Sequence, residues 1–170
     1  MTSTSAHTLQ RVLGQPDEAL ARELLDFWSA RNALTPEQGH QRLPEVVALL
    51  RNAAGEIVGV NSIGSARLAL FANQRMHIYR CLLTEQAAEP ADWLTLLLAG
   101  CDMLAEGVHP AGEGNEIGLL VRIARPELQR AWPEAIWPRT GLVHAGFTDR
   151  GHQLRVRYHD DARIDLEAAT

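Results

Sequence analysis

From Glu18 onward, Leu20, Leu24, Leu25, Phe27 and Trp28 recur at spacings of three, four and seven residues, which predicts one helical stripe ending near Asn32. Asp17 stands where a cap is needed. Thr35-Pro36-Glu37-Gln38 is a second start signal, with a hydroxyl at the cap, proline in the first turn and glutamine three residues on. Leu43-Pro44 closes that helix early. The stripe of Trp93, Leu94, Leu97, Cys101 and Leu104, opened by Pro90 and closed by Gly107, predicts the strongest helix in the chain. A further short helix begins at Pro126 and is interrupted by Pro133 and Pro138.

The remaining runs are β-like. Thr8 to Leu13 alternates before Gly14 and Pro16 break it, and Glu45–Arg51 and Glu56–Ile63 flank Asn52-Ala53-Ala54-Gly55, a hairpin loop whose glycine is free to take a positive φ. The second of these runs continues through Arg67 to Phe71, with Asn73-Gln74 as the turn into Arg75–Thr84. That strand ends in a nearly continuous apolar run, as a central strand does. After the loop His109–Gly114 come Ile117–Ile123, Leu142–Phe147 and Gln153–Tyr158. No internal repeat or Gly/Ser linker divides the chain, so the pattern predicts one α/β (α+β) domain over residues 1–170, with 1–7 and 165–170 frayed.

Composition narrows the function classes. The 170 residues carry a formal charge of −5, and all 16 basic residues are arginine. That balance excludes a basic nucleic-acid or membrane-surface binder, and the missing lysine excludes Schiff-base chemistry and a P-loop. No apolar run approaches the length of a membrane span, and the small polar N-terminus lacks a targeting pattern, so a cytoplasmic location is expected. Cys81 and Cys101 sit in apolar segments, where an unpaired cysteine acts as a small core residue. The seven histidines show no HxxxH or HxH spacing, and no metal is expected.

Val46-Val47-Ala48-Leu49-Leu50 followed by Gly55-Glu56-Ile57-Val58-Gly59, together with Ala145-Gly146-Phe147, resembles the framework of the GNAT superfamily of N-acyltransferases over nearly the whole chain. The resemblance implies a mixed, mostly antiparallel sheet of about seven strands flanked by helices. It also implies acetyl-CoA or another acyl-CoA as donor and a small-molecule amine as acceptor. In that family the donor binds where the fourth and fifth strands part, its pyrophosphate on backbone N–H groups opening the next helix. Leu82, Leu83, Gln86 and Ala91 occupy the corresponding positions. The family loop carries glycines and an arginine or glutamine; here Thr84–Asp92 has no glycine, no arginine and the three carboxylates Glu85, Glu89 and Asp92. Glu89 and Asp92 are expected to satisfy the dipole of their own helix, and Pro90 removes one N–H.

A tyrosine often precedes the family's Gly-Phe pair by four or five residues; Leu142 stands at that spacing, and His144 lies two residues further on. His144 is either an acid for the leaving thiolate or a plain strand residue facing solvent. For the base, alternation places His77 and Tyr79 on one strand face with Glu116 in the same cleft; the other reading makes Tyr79 a core aromatic and Glu116 a strand-end charge. Arg155 and Arg157 either bind an anion or form solvated pairs with Asp160, Asp161 or Asp165. Trp132–Pro138 is either a lid or dimer contact, or a loop packed back on the core. Two functions therefore stand: a divergent acyl-CoA-dependent N-acyltransferase, or a GNAT-like binding or protein-interaction module that does not use CoA, with a homodimer through the Trp-Pro segment as one form of it.

Overall fold

The structure is a computed structural model and describes residues 7–109 and 112–168. Seven strands form one mixed, mostly antiparallel sheet flanked by helices: β1 (Thr8–Arg11), β2 (Val46–Arg51), β3 (Ile57–Leu68), β4 (Gln74–Leu83), β5 (Gly118–Ile123), β6 (Val143–Phe147) and β7 (Gln153–Tyr158), in the order β1-β2-β3-β4-β5-β7-β6. The helices are α1 (Glu18–Ser29), α2 (Pro36–Arg42), α3 (Pro90–Ala105) and α4 (Pro126–Ala131). By contact density the chain resolves into two compact units, one drawn from Met1–Ile63 and Cys81–Ala111 and the other from Gly64–Arg80 and Gly112–Thr170. Among the described residues no helix is long and apolar enough to cross a membrane.

In the first unit, the α1 stripe buries Leu24, Phe27 and Trp28 against Val46 and Leu49 of β2 and Ile57 and Val60 of β3. Asp17 caps α1 by accepting from the Leu20 N–H at 2.8 Å, and Thr35 and Gln38 close the capping box of α2. The β2–β3 hairpin turns where Asn52 Oδ1 accepts from the N–H groups of Ala54 and Glu56 and Gly55 takes φ +83°. Beside the register shift between Val46 and Ala48, the side chain of Asn61 is almost fully buried. It accepts from the Ala48 N–H at 2.9 Å and donates to the Leu96 carbonyl of α3 at 2.7 Å. One amide thus supplies the acceptor that the irregular strand pairing denies the Ala48 N–H and ties that point to α3 through a second bond to the Leu96 carbonyl.

In the second unit, β4 and β5 are parallel, pairing His77 to Tyr79 with Leu119 to Val121, while β7 lies antiparallel between β5 and β6. Met76, Ile117 and Val156 form its core, with Leu68, Phe71, Ile78 and Leu120 against them. At Gly118 an added Cβ would meet the Arg157 carbonyl oxygen at 2.5 Å, so the β5–β7 approach requires glycine.

Three expectations change. β3 ends at Leu68 rather than running to Phe71, because a 3-10 turn over Ala69–Phe71 and left-handed Ala72 and Asn73 reverse the chain. His7, expected to fray, is instead tied down, since it hydrogen-bonds Asp92 at 3.0 Å; residues 1–6 lie outside the described residues. At the other end Asp165 exchanges two backbone hydrogen bonds with the Gln74 amide, at 2.7 and 2.8 Å, and its carboxylate accepts from the N–H groups of Glu167 and Ala168. Residues 169–170, and Pro110 and Ala111 of the expected loop, lie outside the described residues.

Candidate functional site

Glu116 sits at the end of the turn that feeds β5, and four polar groups of the second unit converge on its carboxylate. Ser65 Oγ donates at 2.6 Å and the Glu113 N–H at 2.7 Å to Oε1, and the Gly114 N–H donates at 3.0 Å to Oε2. His77 Nε2 lies 3.9 Å from Oε2, and both side chains are only 2% exposed. Burial pushes the Glu116 carboxyl upward, but hydrogen bonds from Ser65 and the turn backbone, with His77 beside it, outweigh that and hold it at about 2. Such a group is ionised at neutral pH and has its lone pairs engaged; it clamps the turn more readily than it accepts a proton.

The structure therefore brings His77 and Glu116 together. The His77 ring also meets the His159 ring edge-on, with centroids 5.3 Å apart. Tyr79 is buried two residues along β4, opposite Val121. His144 is exposed on β6, at the end of the strand order, with its ring 5.1 Å from that of Phe147.

The β4–α3 turn belongs to the first unit. It continues β3 pairing through the Thr84 N–H to the Val58 carbonyl and then makes a 3-10 turn over Glu85–Ala87. Glu89 occupies the N-cap of α3, where its charge faces the positive end of the helix dipole without a side-chain cap bond, and Asp92 lies in the first turn, buried against His7. Leu82 packs on the α1 core cluster, Leu83 lies against Gly59, the Ala91 carbonyl accepts from Thr95 Oγ1, and Gln86 is exposed. A pocket of about 600 Å³ opens here, lined by Phe27, Arg31, Thr84 and Gln86 and by the carboxylates of Glu23, Glu56 and Glu85. The Arg51 guanidinium, hydrogen-bonded to Glu23, holds that carboxyl below its usual range.

Sequence reasoning singled out Arg155 but not its burial. Arg155 has no exposed surface; it donates to Gln153 Oε1 and to the carbonyls of Trp132 and Ala135, so its expected solvated pairing with Asp160, Asp161 or Asp165 is replaced by a buried carbonyl cage. Trp137 is buried in turn, while Ile136 of the same Trp-Pro segment is 62% exposed. The signal available in the sequence was two bulky aromatics beside prolines, which says that something must be covered but not what.

No family model matches the chain, and no curated protein matches it in sequence. Solved structures do. A GNAT-family acetyltransferase from Streptococcus pneumoniae aligns with a TM-score of 0.58 at 14% identity, over 89% of this chain and 98% of that one. The ribosomal-protein-S5-alanine acetyltransferase of Vibrio fischeri aligns with a TM-score of 0.57 at 12% identity, over 95% and 98%. The chain has a GNAT-like fold. A GNAT phosphinothricin acetyltransferase from Sinorhizobium meliloti, solved with acetyl-CoA, aligns with a TM-score of 0.53 at 16% identity, over 93% and 91%.

Within this GNAT-like fold, the residues at the β4–α3 turn do not fit a pyrophosphate. A dianion there would face Glu85 and Glu89 with no guanidinium or glycine in the turn, and proline occupies the first helical position. Among the described residues no group of three or more His, Cys, Asp or Glu side chains is arranged to hold a metal.

Proposed function

We propose that the chain is a divergent acyltransferase of GNAT type acting on a small-molecule amine, with an acyl-thioester donor that is not held through a nucleotide pyrophosphate at the β4–α3 turn. The full-length likeness to acetyltransferases, one of them solved with acetyl-CoA, carries this reading. The pocket at Thr84–Gln86 supports its amine side, because Glu56 and Glu85 stand beside Arg31 there while Glu23 is neutralised by Arg51, and the remaining acidic balance favours a protonated amine over an anion. The test is thiol release from acetyl-CoA and longer acyl-CoAs across a panel of amines, alongside calorimetric binding of the same thioesters. Turnover with any amine supports the reading; absence of both binding and turnover overturns it.

A second reading is favoured by one observation. His77 and Glu116 are buried and the carboxylate accepts three hydrogen bonds, two of them from the turn backbone, an arrangement suited to holding a turn in a binding or protein-interaction module without CoA chemistry. Thermal stabilisation by small amines but by no acyl thioester is the pattern that selects it.

A further inference from the structure

The geometry points to a small-anion site in the second unit, formed by Arg67, Arg75, Arg163 and Asn115 around a cavity of about 240 Å³ and taking a carboxylate or phosphate group. It goes beyond acyl transfer and does not depend on it. Three guanidiniums and one carboxylate, Asp165, line the cavity, in a chain whose overall charge is −5.

The nearby acids do not balance the arginines: Arg75 alone has a close ion pair, with Glu113, and Arg67 only a marginal one. Arg163 is exposed and has no ion-pair partner among the described residues. Arg67 donates to the Asn73 carbonyl at 3.1 Å and lies 4.0 Å from Asp165, at the outer limit of an ion pair. The Asp165 carboxylate is instead turned to the N–H groups of Glu167 and Ala168.

Arg75 adds an independent observation. Its side chain is 18% exposed, and one end pairs with the exposed Glu113 at 3.0 Å. Its contact with Ser65 Oγ is long, at 3.4 Å, and its Nε is buried with no hydrogen-bond partner among the described residues. The buried Nε is itself out of an anion's reach, but the guanidinium it belongs to is under-satisfied, and an oxyanion against the exposed terminal nitrogens adds a charge-assisted acceptor. The Gln74 amide, locked onto the Asp165 backbone, fixes the wall that carries the C-terminal arginine side. The cavity volume admits a small oxyanion or the acid end of a larger molecule, not a nucleotide.

The experiment is a thermal-shift and calorimetric titration at constant ionic strength with sodium phosphate, sodium succinate and sodium chloride, on the wild-type protein and on Arg163→Gln and Arg75→Met. Saturable stabilisation by phosphate or succinate but not chloride is expected, with a melting-temperature rise of about 5–10 °C at a hundredfold excess over Kd. The tighter of the two oxyanions names the group. Arg163→Gln is expected to melt as wild type without anion and to bind at least about tenfold more weakly; it decides the outcome should Arg75→Met fail to fold. Equal response to all three salts, or wild-type affinity in Arg163→Gln, overturns the site.

Discussion

The Arg155 guanidinium lies 3.9 Å from the ring centroid of Trp137, and both side chains are buried. The stack closes a loop that the prolines would otherwise leave loose: Trp137 Nε1 donates to the Trp132 carbonyl, which also accepts from Arg155 Nη2 at 3.2 Å. Burial lowers the Arg155 pKa, and Glu134 raises it. A guanidinium remains charged even so, and its flat face and fork of donors suit a ring on one side and carbonyls around the edge.

Arg155→Met keeps the length but abandons the carbonyls of Trp132 and Ala135. Urea denaturation followed by tryptophan fluorescence is expected to show a loss of about 2–4 kcal/mol. Arg155→Lys should recover less than half of it, because an ammonium cannot stack and fork together. Full recovery by lysine would mean that charge alone matters there.

Glu116 gives the protein a defined acid limit. Its folded pKa of about 2 lies below the ordinary 4.5, so the unfolded chain binds the proton more tightly. The associated stability is present above the unfolded value, declines as pH falls from about 5, and is gone below the folded value near 2. On the order of 2–3 kcal/mol is at stake after allowing for screening. Glu116→Gln should flatten the denaturation free energy against pH between about 5 and 2, relative to wild type. An unchanged slope would show that the carboxylate does not carry the clamp.

Much of this fold was legible because it rests on local signals that tertiary packing did not override. The 3.6-residue stripe of α1, the Thr35–Gln38 capping box and the Asn52–Gly55 turn each specify themselves within a few residues. The His77–Glu116 proximity was legible only through the resemblance, whose parted strands bring Glu116 into the cleft that His77 faces. What stayed hidden depends on partners distant in sequence. Nothing near Arg155 announces that Trp132 and Trp137 will enclose it, and nothing near Asp92 announces His7 across 85 positions. The charge of Glu116 is visible in sequence, but its engaged lone pairs are not, and those decide whether it can act as a base.

Asn61 is expected to be among the costliest polar side chains to remove. Asn61→Ala leaves the Ala48 N–H buried without that partner and removes the second donor to the Leu96 carbonyl, and should lower stability by about 1–3 kcal/mol. Asn61→Asp should be no better, since a carboxylate can accept from Ala48 but cannot donate to Leu96. Hydrogen exchange of the Ala48 amide reads the effect locally: faster exchange in both variants is expected, and wild-type protection would show that the bridge is dispensable.

The acidic β4–α3 turn makes a prediction about what part of a donor the protein feels. Glu85 and Glu89 would stand near the nucleotide end of any thioester bound as in GNAT relatives, and each carboxylate would oppose its phosphates by about 0.5–1 kcal/mol at short range in a solvent-exposed setting. Acetyl-CoA should therefore bind no more tightly than acetyl-pantetheine, which lacks the nucleotide. In Glu85→Gln/Glu89→Gln, acetyl-CoA affinity should rise about fivefold or more while acetyl-pantetheine affinity stays constant, and the gain should shrink at high salt. Acetyl-CoA binding far more tightly than acetyl-pantetheine in the wild-type protein would mean that another part of the chain grips the nucleotide, and that the turn's charge is irrelevant to donor choice.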